Sequence, residues 1–251
     1  MHAIEMTTTG GPEVLEWRAV EEPTAGPGRI VVEVAAAGVN YIDTYQRTGL
    51  YPVELPYTPG LEGAGSVVAV GDGVTELTVG DTVAWCTQPG SYAERVSLDP
   101  GAVAQVPNGV SADVAAAVML QGMTAHYLAI DTYPLQPGDK CLVHAGAGGV
   151  GLLLIQIAKL RGAEVFTTVG TPEKAELASA AGADHTILYR DVDFGAEVAR
   201  IAGERALDVV YDGVGQSVFR RSLDLLRPRG VMASFGNASG PPEPIAPLEL
   251  A

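Results

Sequence analysis

From Lys140 onward, short apolar segments typical of β-strands alternate with segments of helical character. The predicted strands are KCLVHA, EVFTTVG, HTILY, LDVVYDGVG and VMASFGN. The predicted helices between them are VGLLLIQIAKLR, TPEKAELASAAG, FGAEVARIAG and QSVFRRSLDLLRPRG. In the second helix, Thr171 is the expected N-cap, Pro172 lies in the first turn and Gly182 ends the helix. This alternation predicts an α/β fold, a doubly wound parallel sheet with helices on both faces.

The turn between the first of these strands and its helix is HAGAGGVG, residues 144–151, and it is almost free of side chains. Gly146, Gly148 and Gly151 fit the pattern G-x-G-x-x-G, in which a pyrophosphate approaches backbone N–H groups at a helix N-terminus. Glycines also occur in ordinary tight turns, but the position between a strand and a helix favours a dinucleotide site. The C-terminal half is therefore predicted to be a Rossmann-type domain.

The first hundred or so residues have a different pattern, a series of short β-like segments interrupted by Gly and Pro. These segments are RIVVEVAAAGVN, GAGSVVAVGDG, DTVAWCTQPGSYAERV and AVAQVP. Closely spaced strands of this kind predict a small, irregular β-barrel. The pattern changes near the alanine-rich helical stretch SADVAAAVMLQGMTAHYLAI, so we predict one domain over residues 1–118 and a second over residues 119–251.

The chain is strongly acidic, with 15 basic and 30 acidic residues and a formal net charge of −15. This charge argues against binding nucleic acid through a basic face. No apolar run reaches the roughly 18 residues of a membrane helix, and the N-terminus MHAIEMTTTGG does not have the pattern of a signal peptide. We therefore expect a cytoplasmic protein that binds neither nucleic acid nor a membrane.

The second strand of the C-terminal half indicates which dinucleotide is bound. In the common fingerprint, an Asp or Glu about 20 residues after the glycines holds the adenosine ribose of NAD. Gly170 occupies that position here, and Lys174 follows in the next helix. Tyr189 and Arg190 close the third strand. A missing carboxylate with cations nearby suits a 2′-phosphate, so NADPH is predicted rather than NADH.

Several longer motifs resemble one family in order and spacing. They are GVNYIDTYQRTGLY, LPYTPGLEGAG, SYAERV, GMTAHYLA, HAGAGGVGL, VGTPEKAE, VVYDGVG and SFGNASG. These motifs are similar to the zeta-crystallin-like NADPH:quinone oxidoreductases, the zinc-independent branch of the medium-chain dehydrogenase/reductase superfamily. The resemblance covers nearly the whole chain. It implies a GroES-like irregular β-barrel domain before the Rossmann domain, NADPH as the cofactor and a homodimer.

Within that superfamily, the zinc-dependent alcohol dehydrogenases carry a cysteine ligand where this chain has Asn40. They also carry a G-H-E triplet where it has Gly60, Leu61 and Glu62. Without Cys or His at these positions, no tetrahedral zinc site can form from them. The two cysteines, Cys86 and Cys141, are far apart and are expected to be buried thiols. We therefore expect no metal.

The resemblance also implies the residues of the site. Asn40, Tyr45 and Thr124 would line the nicotinamide end of the cleft, and Tyr51 would lie on the substrate side. The residues expected to take part in catalysis are Asn40, Tyr45 and Tyr51. The residues expected to bind the cofactor are Asn40, Thr124, Gly148, Gly149, Val150, Gly170, Lys174, Tyr189, Val214, Phe235 and Asn237.

Three functions remain open from the sequence. The leading prediction is an enzyme that reduces a quinone with NADPH. The alternatives are an enzyme that reduces an α,β-unsaturated aldehyde or ketone with NADPH and, as a lesser one, an NADPH-binding or structural protein without turnover. The first two need the same hydride geometry, because both acceptors delocalise added charge onto an oxygen. The strand–helix alternation halts at VMASFGNASGPPEPIAPLELA, after the fifth strand, and we therefore expect the sequence to be part of a longer protein.

Overall fold

Residues 1–250 are described by the computed structural model of the chain. The chain divides into two units, of which the first is Met1–Met123 and the second begins at Thr124. The division falls inside a helix, and the domain boundary at residues 118 and 119 remains a prediction.

The first unit is built mainly of antiparallel strands. Its strands are β1 (His2–Glu5), β2 (Glu16–Ala19), β3 (Ile30–Gly38), β4 (Glu62–Val70), β5 (Thr82–Cys86), β6 (Arg95–Leu98) and β7 (Val103–Gln105). Strands β1 and β2 form a separate two-stranded ribbon, and the other five form one sheet in the order β6-β3-β4-β5-β7. Helix α1 (Tyr41–Thr48) follows β3, and helix α2 (Ala112–Tyr127) follows β7.

The five-stranded sheet buries a different kind of side chain on each face. On β5, Val83 and Trp85 lie in a cluster of bulky apolar residues. Ala84, between them in sequence, lies with Ala115 of α2 in a cluster of alanines. Successive residues of a strand face opposite sides, so this alternation follows from the sequence TVAWC. The small alanine side chains allow α2 to pack closely on the sheet.

The second unit is an alternating α/β structure. Its strands are β8 (Lys140–Val143), β9 (Glu164–Val169), β10 (His185–Leu188), β11 (Leu207–Asp212) and β12 (Leu226–Ser234). Its helices are α3 (Gly149–Leu160), α4 (Pro172–Ala180), α5 (Phe194–Ala202) and α6 (Phe219–Leu223). All strand pairs are parallel, and the order β10-β9-β8-β11-β12 places the first strand of this unit in the middle of its sheet. The predicted Rossmann-type parallel sheet is confirmed.

Helices cover both faces of this sheet, as predicted. Cys141 and Val143 of β8 lie in one apolar cluster with residues of α3 and α4. Leu142, between them, lies in a second cluster with Val198 of α5. Thr171 caps α4 as expected, since its side-chain oxygen accepts a hydrogen bond from the backbone N–H of Lys174.

One predicted boundary was wrong. The segment QSVFRRSLDLLRPRG was predicted to be helical throughout, but α6 ends at Leu223 and β12 begins at Leu226. Leu226 pairs with Leu207 of β11, and Pro228 has no N–H for a helical hydrogen bond. Burial of the leucines against the sheet therefore outweighs their helix propensity. Within residues 1–250, no helix is long and apolar enough to cross a membrane.

Candidate functional site

The glycine turn lies at the carboxyl end of β8, and α3 begins directly after it. Gly148 is the N-cap residue, with extended backbone angles (φ −80°, ψ 169°) and no side chain to cap the helix. The N–H groups of the first helical turn therefore carry partial positive charge that no side chain compensates at this position. Gly148 and Gly149 are exposed. This arrangement suits a bound phosphate group.

Close contacts explain two of the three glycines in the pattern. A Cβ atom at Gly146 would lie 1.8 Å from the hydroxyl oxygen of Thr167, and one at Gly151 would lie 2.5 Å from the carbonyl oxygen of Ala145. At Gly148 the nearest atom would be the same carbonyl oxygen, at 3.2 Å, so packing does not strictly forbid a side chain there. The bare surface at Gly148 is instead what the close approach of a pyrophosphate would need.

A buried histidine ties this turn to the neighbouring elements. Nδ1 of His144 lies 2.9 Å from the hydroxyl of Thr168, and Nε2 lies 2.8 Å from the hydroxyl of Ser222. The Ser222 hydroxyl donates to the carbonyl oxygen of Val218, so its oxygen accepts from Nε2–H, and in a neutral ring Nδ1 then accepts from the Thr168 hydroxyl. Burial lowers the pKa of His144 to about 3. The next residue, Ala145, is left-handed (φ 53°).

The predicted 2′-phosphate site lies where β9 and β10 end side by side. A Cβ atom at Gly170 would lie 3.1 Å from the hydroxyl oxygen of Tyr189 and 3.3 Å from Nε of Arg190. Both of these side chains are exposed, as is Lys174 in the first turn of α4. The structure therefore brings Gly170, Tyr189 and Arg190 together, with Lys174 on the helix that starts beside them. Arg190 was not among the predicted binding residues, although its place directly after Tyr189 is visible in the sequence.

Two further loops of the second unit meet beyond β11 and β12. The backbone N–H of Phe235 donates to the carbonyl oxygen of Asp212 at 2.8 Å, and that of Ser239 donates to the carbonyl oxygen of Val214 at 2.7 Å. Asn237 lies between Phe235 and Ser239 in sequence. The structure therefore brings the predicted residues Val214, Phe235 and Asn237 to one place at the carboxyl edge of the sheet.

Asp212 holds the first of these loops and was not predicted. Its fully buried carboxylate accepts hydrogen bonds at Oδ1 from the backbone N–H groups of Val214, at 2.7 Å, and Gly215, at 2.9 Å. Burial raises the pKa of Asp212, and the two hydrogen bonds oppose that rise. The available signal was an acidic residue at the end of the strand LDVVYD.

In the first unit, Asn40 lies between β3 and α1 and is buried. Its Nδ2 donates to Oε2 of Glu62 at 2.7 Å, and its Oδ1 accepts from Nε2 of Gln121 at 3.3 Å. Oε1 of Glu62 accepts from the backbone N–H of Leu120 at 2.6 Å. These partners fix which end of the Asn40 amide is the nitrogen, because a carboxylate can only accept.

A second buried carboxylate lies beside this group. Oδ2 of Asp43 accepts from the backbone N–H of Asn40 at 2.9 Å and from the hydroxyl of Tyr92 at 2.6 Å. Burial raises the pKa of both Asp43 and Glu62, and the hydrogen bonds to each carboxylate partly offset the rise. Two acidic groups thus share a small buried region around Asn40.

The predicted tyrosines form an aromatic row that starts on α1. The ring centroid of Tyr45 lies 5.4 Å from that of Tyr41 and 5.1 Å from that of Tyr51. Tyr45, in the middle of the row, is buried, whereas Tyr41 is 57% exposed and Tyr51 is 39% exposed, so both ends of the row lie at the surface. Thr124, the remaining predicted residue, lies in α2 and begins the second unit.

The positions that bind zinc in related dehydrogenases do not fit zinc here. Leu61 has no donor atom, and the amide nitrogen of Asn40 is bonded to Glu62. Nowhere in residues 1–250 do three or more His, Cys, Asp or Glu residues come close enough to hold a metal ion. A tetrahedral zinc site needs Cys, His or carboxylate ligands together. A protein without zinc remains a prediction.

Comparison with known proteins identifies the family. A model of the alcohol dehydrogenase GroES-like domain matches residues 26–137, and a model of the zinc-binding dehydrogenases matches residues 149–251. A quinone oxidoreductase from Pseudomonas aeruginosa is 46% identical over 240 residues, which span 95% of this chain and 74% of that protein. The crystal structure of Escherichia coli quinone oxidoreductase complexed with NADPH has a TM-score of 0.96 at 41% identity, covering 100% of this chain and 77% of that one. The chain belongs to the quinone oxidoreductase family.

This membership confirms the family and the fold class that the sequence predicted. A further relative, a 2-haloacrylate reductase from a Burkholderia species, is 42% identical over 247 residues, or 96% of this chain and 74% of that protein. One of the matching family models is described as zinc-binding, although this member of the quinone oxidoreductase family has Asn40 and Leu61 at the ligand positions.

Proposed function

We propose that the chain is an oxidoreductase that reduces quinones with NADPH. The observation that carries this proposal is the exposed pair Gly148 and Gly149, which leaves the N-terminus of α3, including the backbone of Val150, open to a pyrophosphate. The relatives named as quinone oxidoreductases, one of them complexed with NADPH, support it. When bound, NADPH supplies the hydride from C4 of its nicotinamide.

The choice of NADPH rests on the end of β9. Gly170 presents no carboxylate to a ribose hydroxyl, and the guanidinium of Arg190 lies close beside it. A 2′-phosphate in this place gains charge-assisted hydrogen bonds from Arg190 and Lys174 and a hydrogen bond from the Tyr189 hydroxyl. The net charge of the chain is strongly negative, so these local cations matter for an anionic ligand.

We propose that the remaining residues hold the nicotinamide half of the cofactor and the substrate. Asn40, Tyr45 and Thr124 contact the nicotinamide end, and Tyr51 contacts the substrate. Val214, Phe235 and Asn237 complete the cofactor site. They lie at the carboxyl edge of the parallel sheet, where open α/β folds bind their ligands.

The reaction needs no metal on this proposal. A quinone is already electrophilic, and the charge added with the hydride spreads onto its oxygen. Asn40 offers an amide N–H and the tyrosines offer hydroxyl groups as donors to that oxygen. The residues at the zinc positions do not form a Lewis-acid site, so the chain relies on these hydrogen-bond donors instead.

A second candidate acceptor is an alkene conjugated to a carbonyl group. The observation that favours it is the 42% identity to a 2-haloacrylate reductase, whose named substrate is an unsaturated acid. Binding of NADPH without turnover is the third candidate. The same cofactor site serves all three, and the pocket around the acceptor decides among them.

The test is to follow NADPH oxidation with a panel of acceptors: 1,4-benzoquinone, an enone, an enal and 2-chloroacrylate. Turnover of the quinone, with much slower turnover of the alkenes, supports the proposal. The reverse order favours the second candidate, and NADPH binding with no acceptor reduced favours the third. Asn40→Ala should lower kcat with the quinone by about 100-fold, the usual loss for one donor to a developing oxyanion.

We also propose a homodimer and a cytoplasmic location. The homodimer follows from the family resemblance, and the location from the similarity to the bacterial quinone oxidoreductases. Sedimentation at micromolar concentration tests the first, and fractionation of cells that express the protein tests the second.

A further inference from the structure

We infer that Glu62 is a positioning residue that fixes the orientation of the Asn40 amide, with Gln121 completing the arrangement. The inference rests on the proposed function, because orientation of this amide matters only if Asn40 contacts the reacting groups. Glu62 itself touches neither cofactor nor substrate in this proposal. It acts through the hydrogen bond that it accepts from Asn40.

The Glu62 carboxylate has little freedom to move. Its side chain is fully buried, and Glu62 pairs with Gly38 at one end of the ladder between β3 and β4. A Cβ atom at Gly38 would lie 2.1 Å from Oε2 of Glu62, so the carboxylate lies directly against the glycine backbone. Its other oxygen accepts from the Leu120 N–H at 2.6 Å. Both oxygens are therefore held in place by fixed backbone.

This carboxylate determines the polarity of the Asn40 side chain. The two ends of an asparagine amide have nearly the same shape, so packing alone does not distinguish them. Glu62 accepts at one end, 2.7 Å away, and Gln121 donates at the other, 3.3 Å away. The nitrogen must therefore face Glu62. One of its two N–H groups is used there, and we assign the second to the ligand.

Asp43 provides a matched control within the same buried region. It is also a buried carboxylate, but it accepts from the backbone N–H of Asn40, at 2.9 Å, and not from the side chain. The direction of a backbone N–H does not depend on the orientation of the amide. Removing the charge of Asp43 therefore changes the local electrostatics while leaving the Asn40 amide between Glu62 and Gln121.

The principal variant is Glu62→Gln, which changes a single atom. The Leu120 N–H still requires an oxygen, so the new amide nitrogen must face Asn40. Asn40 can then bond to it only by turning its own oxygen toward position 62. The donor N–H of Asn40 thereby moves to the other side of its side chain. We expect kcat with a quinone to fall about 100-fold while KM and NADPH affinity change less than about threefold.

A double variant separates positioning from folding. In Glu62→Gln with Gln121→Glu, both side-chain hydrogen bonds of Asn40 are made again with reversed polarity, so its amide is held in the wrong orientation. The hydrogen bond that Gln121 donates to the carbonyl oxygen of Val39, an exposed residue, is lost. We expect the double variant to unfold at about the same denaturant concentration as the wild type and to keep the low kcat of Glu62→Gln. A merely structural role predicts that kcat recovers with stability.

The second readout is the ¹⁵N NMR signal of the Asn40 side-chain amide, assigned by its loss in Asn40→Asp. We expect this signal to shift in Glu62→Gln and in the double variant, and to change little in Asp43→Asn. The kcat of Asp43→Asn should stay within about threefold of the wild-type value. Any of three results overturns the inference. The Asn40 signal stays unshifted in Glu62→Gln, or Asp43→Asn loses as much kcat as Glu62→Gln, or kcat recovers in the double variant. If Asn40→Ala itself keeps full activity, the proposed role of Asn40 fails, and the NMR signal still reports whether Glu62 orients the amide.

Discussion

The candidate sites of the two units are built in different ways. In the second unit, the turn at residues 144–151 is a single stretch of chain, and its chemistry comes from backbone N–H groups. In the first unit, Asn40 depends on side chains 22 and 81 residues away, Glu62 and Gln121. A site of the first kind follows from local sequence, whereas one of the second kind exists only after the strands have paired.

The two regions also differ in buried charge. The buried polar group beside the glycine turn is His144, a neutral ring whose two nitrogens both have hydroxyl partners. The region around Asn40 buries two carboxylates, Asp43 and Glu62. Burying a carboxylate is costly even when it accepts several hydrogen bonds. The region around Asn40 therefore gives up more stability than the region around the glycine turn, although the second unit also buries the carboxylate of Asp212 at the end of β11.

The largest effect is expected from adding one methyl group to the turn. In Gly151→Ala the new Cβ would lie 2.5 Å from the carbonyl oxygen of Ala145 and 2.8 Å from Cα of Gly146, both backbone atoms. We expect NADPH affinity to fall by at least about 100-fold, because the turn must open to relieve the overlap. Gly26→Ala, which has no atom within 4 Å of the new Cβ, is the control for isothermal titration. Unchanged affinity in Gly151→Ala would show that the turn is not the pyrophosphate site.

The next largest effect is expected from the side chains proposed to bind the 2′-phosphate. It tests whether they give the second unit its preference for NADPH over NADH. Loss of a charge-assisted hydrogen bond to phosphate removes about 1.5–3 kcal/mol, so Lys174→Ala should weaken NADPH by roughly 10- to 150-fold. Arg190→Ala should act in the same way, given its place beside Gly170. NADH, which lacks the 2′-phosphate, is the internal control and should bind each variant as it binds the wild type. Equal weakening of both cofactors would remove these residues from the 2′-phosphate site.

A third prediction uses pH to contrast the two buried regions. The pKa of His144 is 6.5 in the unfolded chain and about 3 in the folded one. Between these values the unfolded chain binds a proton that the folded chain does not, so the free energy of unfolding falls as pH falls. The slope approaches about 1.4 kcal/mol per pH unit below pH 6.5, or roughly 2 kcal/mol lost by pH 5.

The raised pKa values of Asp43 and Glu62 act in the opposite direction, because the folded chain then binds the extra proton. The unfolding free energies of the wild type and of His144→Asn are therefore measured by urea denaturation at pH 7.5 and at pH 5, and the quantity compared is the difference between the two proteins. That difference should shrink by roughly 2 kcal/mol at the lower pH. A difference independent of pH would mean that His144 titrates normally in the folded chain.

The smallest effect is expected from removing a hydrogen-bond donor to Asp43, one of the two buried carboxylates near Asn40. Tyr92→Phe removes the hydroxyl that donates to Asp43 at 2.6 Å. A hydrogen bond to a charged group contributes about 1.5 kcal/mol or somewhat more, so the unfolding free energy should fall by about that amount. NADPH affinity should not change, which separates this variant from those in the glycine turn. A stable variant with weakened NADPH binding would contradict the contrast between the two regions.

Much of the second unit could be predicted from sequence because its signals are local. The alternation of strands and helices, the cap at Thr171 and the spacing of the glycines in the turn are each visible in a short stretch of chain. The contact that explains Gly146, with Thr167 of β9, is tertiary, but the glycine pattern indicates the turn without it. The end of α6 was missed because pairing of Leu226 with Leu207 is a tertiary contact. Helix propensity contains no information about such pairing.

The group around Asn40 could be predicted only in part. The sequence indicates that Asn40 and Glu62 depart from the zinc-ligand pattern, but not that they bond to each other. That bond depends on the register of β3 against β4, which places Gly38 opposite Glu62. Asp212 was missed for a similar reason, since an acidic residue at a strand end gives no sign of being fully buried.

The contact between Gly38 and Glu62 couples the substitutions that evolution can accept at two positions that lie far apart in the sequence. With Cβ only 2.1 Å from Oε2, an alanine at position 38 cannot coexist with the glutamate in its present place. A lineage that acquires a side chain at position 38 must therefore move, shorten or replace the side chain at position 62, and each of these changes disturbs the partner that holds Asn40. Descendants of a common ancestor should accordingly keep Gly38 and Glu62 together or exchange both, so that the two positions are inherited as a pair.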